Sequence, residues 1–454
     1  MLDDTLIIGG SEALMRLLKA LAMTVLLAAG AGLVWFAGTA AWAARRESQA
    51  LGAWSALGLP LDGTAPFPKK ETNAAAIALE KAAEPLGIHL KPGGGPAEVD
   101  PEPVGMVREE KTEWGRTRGA FTKWATNEAE RPEANVQAPP PEVAAWLTGH
   151  AAELDAIENA LVAGPAPEWA ADSSLLFAAP VPGMSGHLQL HVVLLGRALA
   201  RAAGGDAAGA ERSLLASWNF AAPQRLRADV PSRSIAALAT HLELGVLRKL
   251  AVNPEPWRAR IAAWNPRDAV KRTWANEAWT TWQAGMRQAA GSPKGSLARL
   301  VARPGQRLEA AAFLDGWRSM TEAGVRSPVS DGDGKELAAA FRTGMGRWAD
   351  AAPAVPNLAG AWKRADRLIL EAELTNKVFD VRAARAASGA WPAAVKDVEA
   401  SKAKDVAWAY AVTPEGRASI ATKRSLTWPD RASSPMGWVS EPPAAQKAPA
   451  AKRR

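Results

Sequence analysis

The sequence predicts a mainly α-helical protein with an N-terminal transmembrane helix, a linker, a multi-helix body of helical hairpins and a small C-terminal β-hairpin. Three observations predict it. Ala20 to Ala44 is a run of twenty-five residues without a charge, set between Arg16 and Lys19 on one side and Arg45 and Arg46 on the other. From Glu142 to Ser388, apolar residues recur at helical spacing between proline and glycine breaks. After Gly389 the period shortens to two.

The first run is the transmembrane anchor. At about 1.5 Å per residue it reaches roughly 37 Å, enough to cross a hydrocarbon layer about 30 Å thick with some tilt. Ala20 and Ala44 bound it, Leu33 lies within it, and Trp35 and Trp42 fall toward its C-terminal end, where indole rings favour the interface. Ala41-Trp42-Ala43 also fits a signal-peptide cleavage pattern, with Met15 as an alternative start. The apolar run exceeds the usual length of a signal-peptide core, so an uncleaved anchor is expected. Two basic residues on each flank leave the positive-inside count tied. A lone N-terminal span usually serves to export the chain beyond it, which places residues 1–19 in the cytoplasm and the bulk in the periplasm.

Residues 45–71 carry Pro60, Gly63 and Pro66 to Pro68 and read as a linker. Residues 72–141 read as a partly helical, Pro/Gly-rich region, with helix at Thr72 to Glu84 and around Arg118 to Glu130. Residues 142–388 read as the helical domain. Glu142 to Leu161 carries Val143, Leu147, Leu154, Ile157 and Leu161 at near one-face spacing. His187 to Ala203 and Asp206 to Ala222 predict a hairpin about Gly204-Gly205, with Asp206 as N-cap and Pro223 as terminator. Ser232 to Leu250, Arg258 to Trp264, Arg267 to Gln288, Leu297 to Ala323 (interrupted at Pro304-Gly305) and Lys335 to Ala351 continue the series. Leu358 to Ala387 is the longest predicted body helix.

Residues 389–432 form the β-hairpin module. Val406 to Val412 and Arg417 to Thr422 alternate about the turn Thr413-Pro414-Glu415-Gly416. Residues 433–454 are Pro/Ala-rich and basic, and read as a disordered tail.

His191 to Pro223 resembles one tetratricopeptide-type hairpin, with small Ala210 at the helix crossing, Leu214 one turn later and Pro223 past the end. More broadly, six stretches resemble an uncharacterised family of bacterial membrane-anchored α-helical proteins. They are Asn73 to Ala76, Pro139 to Glu142, Gly186 to Leu190, Leu214 to Trp218, Val246 to Leu250 and Ser388 to Pro392. That resemblance implies an anchored helical architecture and no particular chemistry.

Composition narrows the function. The 454 residues contain no cysteine, which excludes disulfides, thiolate metal sites and a cysteine nucleophile. A net charge of +7 is mild for this length, and the basic residues are scattered, so no nucleic-acid partner is expected. The expected partners are the lipid bilayer and another envelope protein, and the sequence sets no oligomeric state.

No cofactor motif appears. His187 and His191 stand four apart on one predicted helix, a spacing that lets two imidazoles share a metal ion. The residue after the first is Leu188 rather than the glutamate of zincins, and all five histidines have Leu or Met three residues before them. His241 and Glu211 are where a third ligand would be sought. Gly183 to Gly186 falls one residue short of a nucleophile elbow, and no phosphate-binding loop occurs. Asp331 to Glu336 places alanine where an EF-hand needs its bidentate glutamate. Trp274, Trp279 and Trp282 crowd one helix and suggest either a sugar-stacking platform or core packing.

The expected function is therefore a non-catalytic membrane-anchored scaffold or protein-interaction module of the bacterial cell envelope. The alternatives are an envelope hydrolase or metal-dependent enzyme centred near His187 and His191, and a carbohydrate-binding envelope module.

Overall fold

The computed structural model describes residues 6–59, 61, 69–91, 112–181, 183–291, 297–351, 355–429 and 431–441. The expectations for residues 1–5, for the linker at 62–68, for 92–111 and for the tail beyond Glu441 lie outside them. The fold is the predicted one: a long apolar N-terminal helix, a helical body and a small antiparallel strand set.

Helix α1 spans Leu6–Ser55 and behaves as two halves. Between Met15 and Trp42 it carries large apolar side chains in the open: Leu33 and Trp35 are each 70% exposed. It is long and apolar enough to cross a membrane. The hydroxyls of Thr24 and Thr39 donate to the carbonyls of Ala20 (2.9 Å) and Trp35 (2.8 Å), so neither polar group needs water.

From Ala43 onward the same helix is half buried, through Ala43, Glu47, Ala50 and Trp54 on one face. This corrects the expected linker at 45–71, whose first eleven residues are helix. Four positions at i, i+4, i+7 and i+11 build a packing stripe, and the breaker residues begin only at Leu59-Pro60.

The body begins with α2 (Ala74–Ala83), α3 (Glu113–Glu130), α4 (Pro141–Gly149) and α5 (Ala151–Ala163). The single helix expected over 142–161 is thus two, broken where His150 leaves helical geometry. Next come the hairpin α6 (Met184–Ala203) and α7 (Ala207–Leu226), then α8 (Val230–Leu247) and α9 (Pro254–Ala262). Asp206 caps α7 as expected, accepting from the Gly209 amide at 2.9 Å.

Pro223 does not end α7. It lacks only its own N–H, and its carbonyl still accepts from Arg227 at 3.1 Å, so the helix completes a further turn. Gly245 of α8 allows α3 to approach closely, since a Cβ there would stand 2.2 Å from the Ala129 carbonyl.

Beyond these lie α10 (Pro266–Gly291), α11 (Leu297–Arg326), α12 (Lys335–Met345) and α13 (Val355–Ser388). Pro304 lies inside α11 rather than interrupting it. Helix α13 is the spine of the molecule. Phe379 joins the core of α2 to α9, Trp362 and Ala365 join the core of α1, α10, α11 and α12, and Leu370, Leu374, Val378 and Val381 pack on the strands.

Strands β1 (Trp408–Val412) and β2 (Ala418–Thr422) form the expected hairpin, with Gly416 at φ +73° in the turn. Strand β3 (Leu426–Trp428) pairs with β4 (Arg431–Ser434), and β5 (Gly437–Val439) adds to β2. Residues 433–440, expected as disordered tail, therefore belong to the sheet module. Trp438 is the reason, since its ring is buried and its Nε1 donates to the Arg248 carbonyl at 3.2 Å.

Candidate functional site

The residues singled out by sequence fall in three places. Ala20, Leu33, Trp35 and Ala44 lie on α1 as expected of a span, with Ala44 at the point where the helix enters the body. That junction is bonded as well as packed. Arg46 pairs with Asp315 at 2.7 Å, Glu47 accepts from Trp282 Nε1 at 2.8 Å, and Trp54 Nε1 donates to the Leu314 carbonyl at 3.2 Å.

Trp274, Trp279 and Trp282 are all buried. Trp274 stacks on Trp362 at 5.1 Å with an interplanar angle of 23°, inside the core that α1 joins. This corrects the sugar-platform expectation, because a sugar cannot reach rings that other helices already cover. Burial of that much aromatic surface makes these indoles structural.

His187 and His191 are buried too. His187 stacks on Phe220 (5.3 Å, 12°), and its Nδ1 lies 3.0 Å from the Gly183 carbonyl. Burial drives its pKa down to about 4, so the ring is neutral at pH 7. His191 Nδ1 lies 3.2 Å from Ser217 Oγ, which donates to Glu243 at 2.8 Å. The hydroxyl therefore bridges the imidazole and the carboxylate inside the core, where Ser217 and His191 are both buried.

The residues considered as third ligand are engaged elsewhere. His241 Nδ1 sits 2.7 Å from Glu371, and Glu211 accepts from Trp257 Nε1 at 2.9 Å. Among the described residues no three His, Asp or Glu side chains gather where they could hold a metal ion.

The feature that sequence reasoning missed is a cleft of about 650 Å³. A 3₁₀ turn at Ser173–Ala178 forms one lip, the last turn of α7, its connection to α8 and the first residues of α8 (Pro223 to Pro231) form another, and Asn276, Glu277 and Thr280 of α10 form the inner wall. Arg227 stitches the lips together. It donates to the carbonyls of Ala170 (3.0 Å) and Pro180 (2.9 Å) and to Asp229 at 2.7 Å. Arg233 secures the connection from below, donating to the carbonyls of Arg225 (2.7 Å) and Arg227 (3.1 Å).

The walls are mainly apolar, and the mouth exposes Phe177 (71%) and Leu226 (65%) to water. Leu176 sits at φ +54° in the lip, a backbone conformation uncommon for a non-glycine residue. Large side chains left in the open around a concavity are the kind of surface a ligand covers.

The charges around the cleft are unequal in their pairing. Lys70 pairs with Glu168 at 2.9 Å, Arg227 pairs with Asp229, and Asp172 accepts from the Ser174 amide at 3.0 Å. Glu277 has no hydrogen-bond or ion-pair partner among the described residues. Burial, reinforced by the nearby Asp229 carboxylate, lifts its pKa to about 7. Beside it, the Asn276 side-chain oxygen is buried without a partner among the described residues.

A sequence signal for this wall does exist. Thr273, Asn276, Glu277 and Thr280 repeat at i, i+3, i+4 and i+7, a polar stripe alongside the tryptophans on a helix packed on several sides. No family model, no curated protein and no solved structure matches the chain.

Proposed function

We propose that the protein is a non-catalytic, single-pass membrane-anchored binding module of the bacterial cell envelope, with its body on the periplasmic side of the inner membrane. The observation that carries this reading is α1 itself. One unbroken helix has large apolar side chains exposed between Met15 and Trp42, Leu33, Val34 and Trp35 among them, and its Ala43, Glu47, Ala50 and Trp54 face buried in the body. Exposed Leu, Val and Trp side chains over that length are costly in water and favourable in lipid. The buried continuation fixes the body's attitude relative to the span, as suits a scaffold that presents a surface at a set height above the bilayer.

The make-up of the cleft supports binding over catalysis. Of its four lining carboxyls, Glu168 and Asp229 are paired with cations and Asp172 accepts from Ser174, which leaves Glu277, and no histidine is among the described lining residues. An enzyme of the acid–base or nucleophilic kind needs a second positioned group there.

The test is a pair of fusions after Lys447, one to alkaline phosphatase and one to a fluorescent protein that matures only in the cytoplasm, together with an alkaline wash of the membranes. An active phosphatase, a dark fluorescent fusion and retention in the washed membrane are expected. Release by the wash would remove the anchor, and a fluorescent fusion would reverse the orientation.

A further inference from the structure

The cleft specifies its ligand more narrowly than its apolar walls alone. Its volume lies within the span of about 300–1,000 Å³ common for small-molecule sites. Trp169, Phe177, Leu226 and Leu358 offer room for an apolar body. Two cationic and four acidic side chains line the cavity. Both cations are already paired, Lys70 with Glu168 and Arg227 with Asp229, whereas Glu277 is not. An anionic ligand would meet an excess of carboxylate with no free cation among the described lining residues. A neutral apolar ligand would leave the Glu277 carboxyl desolvated and unmatched, which is unfavourable.

We propose that this cleft binds a small amphiphilic amine, its apolar body against the Trp169–Phe177–Leu226 wall and its protonated nitrogen hydrogen-bonded to the Glu277 carboxylate. The ammonium supplies a countercharge that Glu277 lacks, whereas Glu168 and Asp229 have theirs in Lys70 and Arg227 and Asp172 accepts from Ser174. The proposal rests on the reading of the body as a binding module. It does not depend on which side of the membrane the body occupies.

The test uses the full chain in lipid nanodiscs, titrated by calorimetry with 4-phenylbutylamine, 4-phenylbutanol and 4-phenylbutyrate, with empty nanodiscs as the blank. The amine is expected to bind at a stoichiometry near one and about tenfold or more tighter than the alcohol, the usual gain of a charge-assisted hydrogen bond. The carboxylate is expected to bind most weakly.

Glu277→Gln should weaken the amine and erase its preference over the alcohol. Leu226→Arg, at an exposed rim position, should weaken the amine by like charge without disturbing the fold. Far-UV circular dichroism checks both variants. Equal binding of amine and alcohol, with no loss of amine affinity in Glu277→Gln, would overturn the amine proposal and leave the binding-module reading standing. Absence of binding by any of them would overturn both.

Discussion

Two acids in this body have opposite surroundings. Glu243 on α8 is buried and fully matched. It accepts from Ser217 Oγ at 2.8 Å and pairs with Arg225, whose Nε also donates to Thr240 at 3.1 Å and whose guanidinium lies 3.8 Å over the Trp218 ring. Burial pushes the Glu243 carboxyl up against the opposing pull of Arg225, and it lifts Glu277 on α10 to about 7; what separates the two is that Glu277 lines a cleft and has no partner among the described residues. Glu243 is sealed from solvent and is given its countercharge within the fold, whereas Glu277 is partly buried on the wall of an open cleft and is not. A buried charge that the fold completes belongs to the architecture. One that it leaves incomplete, at the wall of a cavity, marks where something else completes it.

Breaking the matched acid is expected to have the largest effect. Glu243→Ala leaves Arg225 buried without its carboxylate, a loss of about 3–5 kcal/mol in cases of this kind. Denaturant midpoints of the full chain in detergent would read it. The double substitution Arg225→Met with Glu243→Leu should recover most of that loss, because it removes both charges and fills the volume with apolar atoms. If the double variant is no better than the single one, the pair is not a self-contained unit.

The histidines beside this cluster give the next effect. His187 is held neutral by burial, with a pKa of about 4 against an ordinary value of 6.5. The unfolded chain therefore takes up this proton first as pH falls. Stability is fully present above about 6.5 and is lost progressively toward 4, by up to about 3 kcal/mol for one such group. His187→Phe, which keeps a ring against Phe220, should remove one proton's share of that acid slope. Stability curves at pH 4.5 and 7 would check this, and an unchanged slope would place the acid sensitivity elsewhere.

Much of the architecture was legible because it is written locally. The uncharged run of α1, the N-cap at Asp206 and the hairpin about Gly416 each depend on residues close in sequence. What escaped depends on distant partners. Strand β5 is three residues long and becomes a strand only by pairing with β2. The base of α1 reads as linker until Asp315, Leu314 and Trp282 are brought to it.

The site was hidden for the same reason. The tryptophans of α10 are conspicuous in the sequence, yet other helices cover them. Asn276 and Glu277 stand out only once the lip at Ser173–Ala178 and the segment from Pro223 to Pro231 enclose them.

The smallest effect concerns the unmatched acid, and it runs opposite to that of His187. The folded chain holds the Glu277 proton up to about pH 7, whereas the unfolded chain releases it near the ordinary carboxyl value of 4.5. Between those values the native state binds more protons than the unfolded state, so this group's contribution to stability falls as pH rises through the window. The whole shift would correspond to about 3 kcal/mol. Part of that is lost because the carboxyl faces an open cleft where water screens it, which leaves about 1–2 kcal/mol. Glu277→Gln should therefore be nearly neutral at pH 4.5 and stabilising at pH 8, whereas His187→Phe should show its effect only on the acid side. A Glu277→Gln chain with no gain at pH 8 would mean that the carboxyl is already matched in the folded protein. The contrast between the two acids, on which the amine site depends, would then disappear.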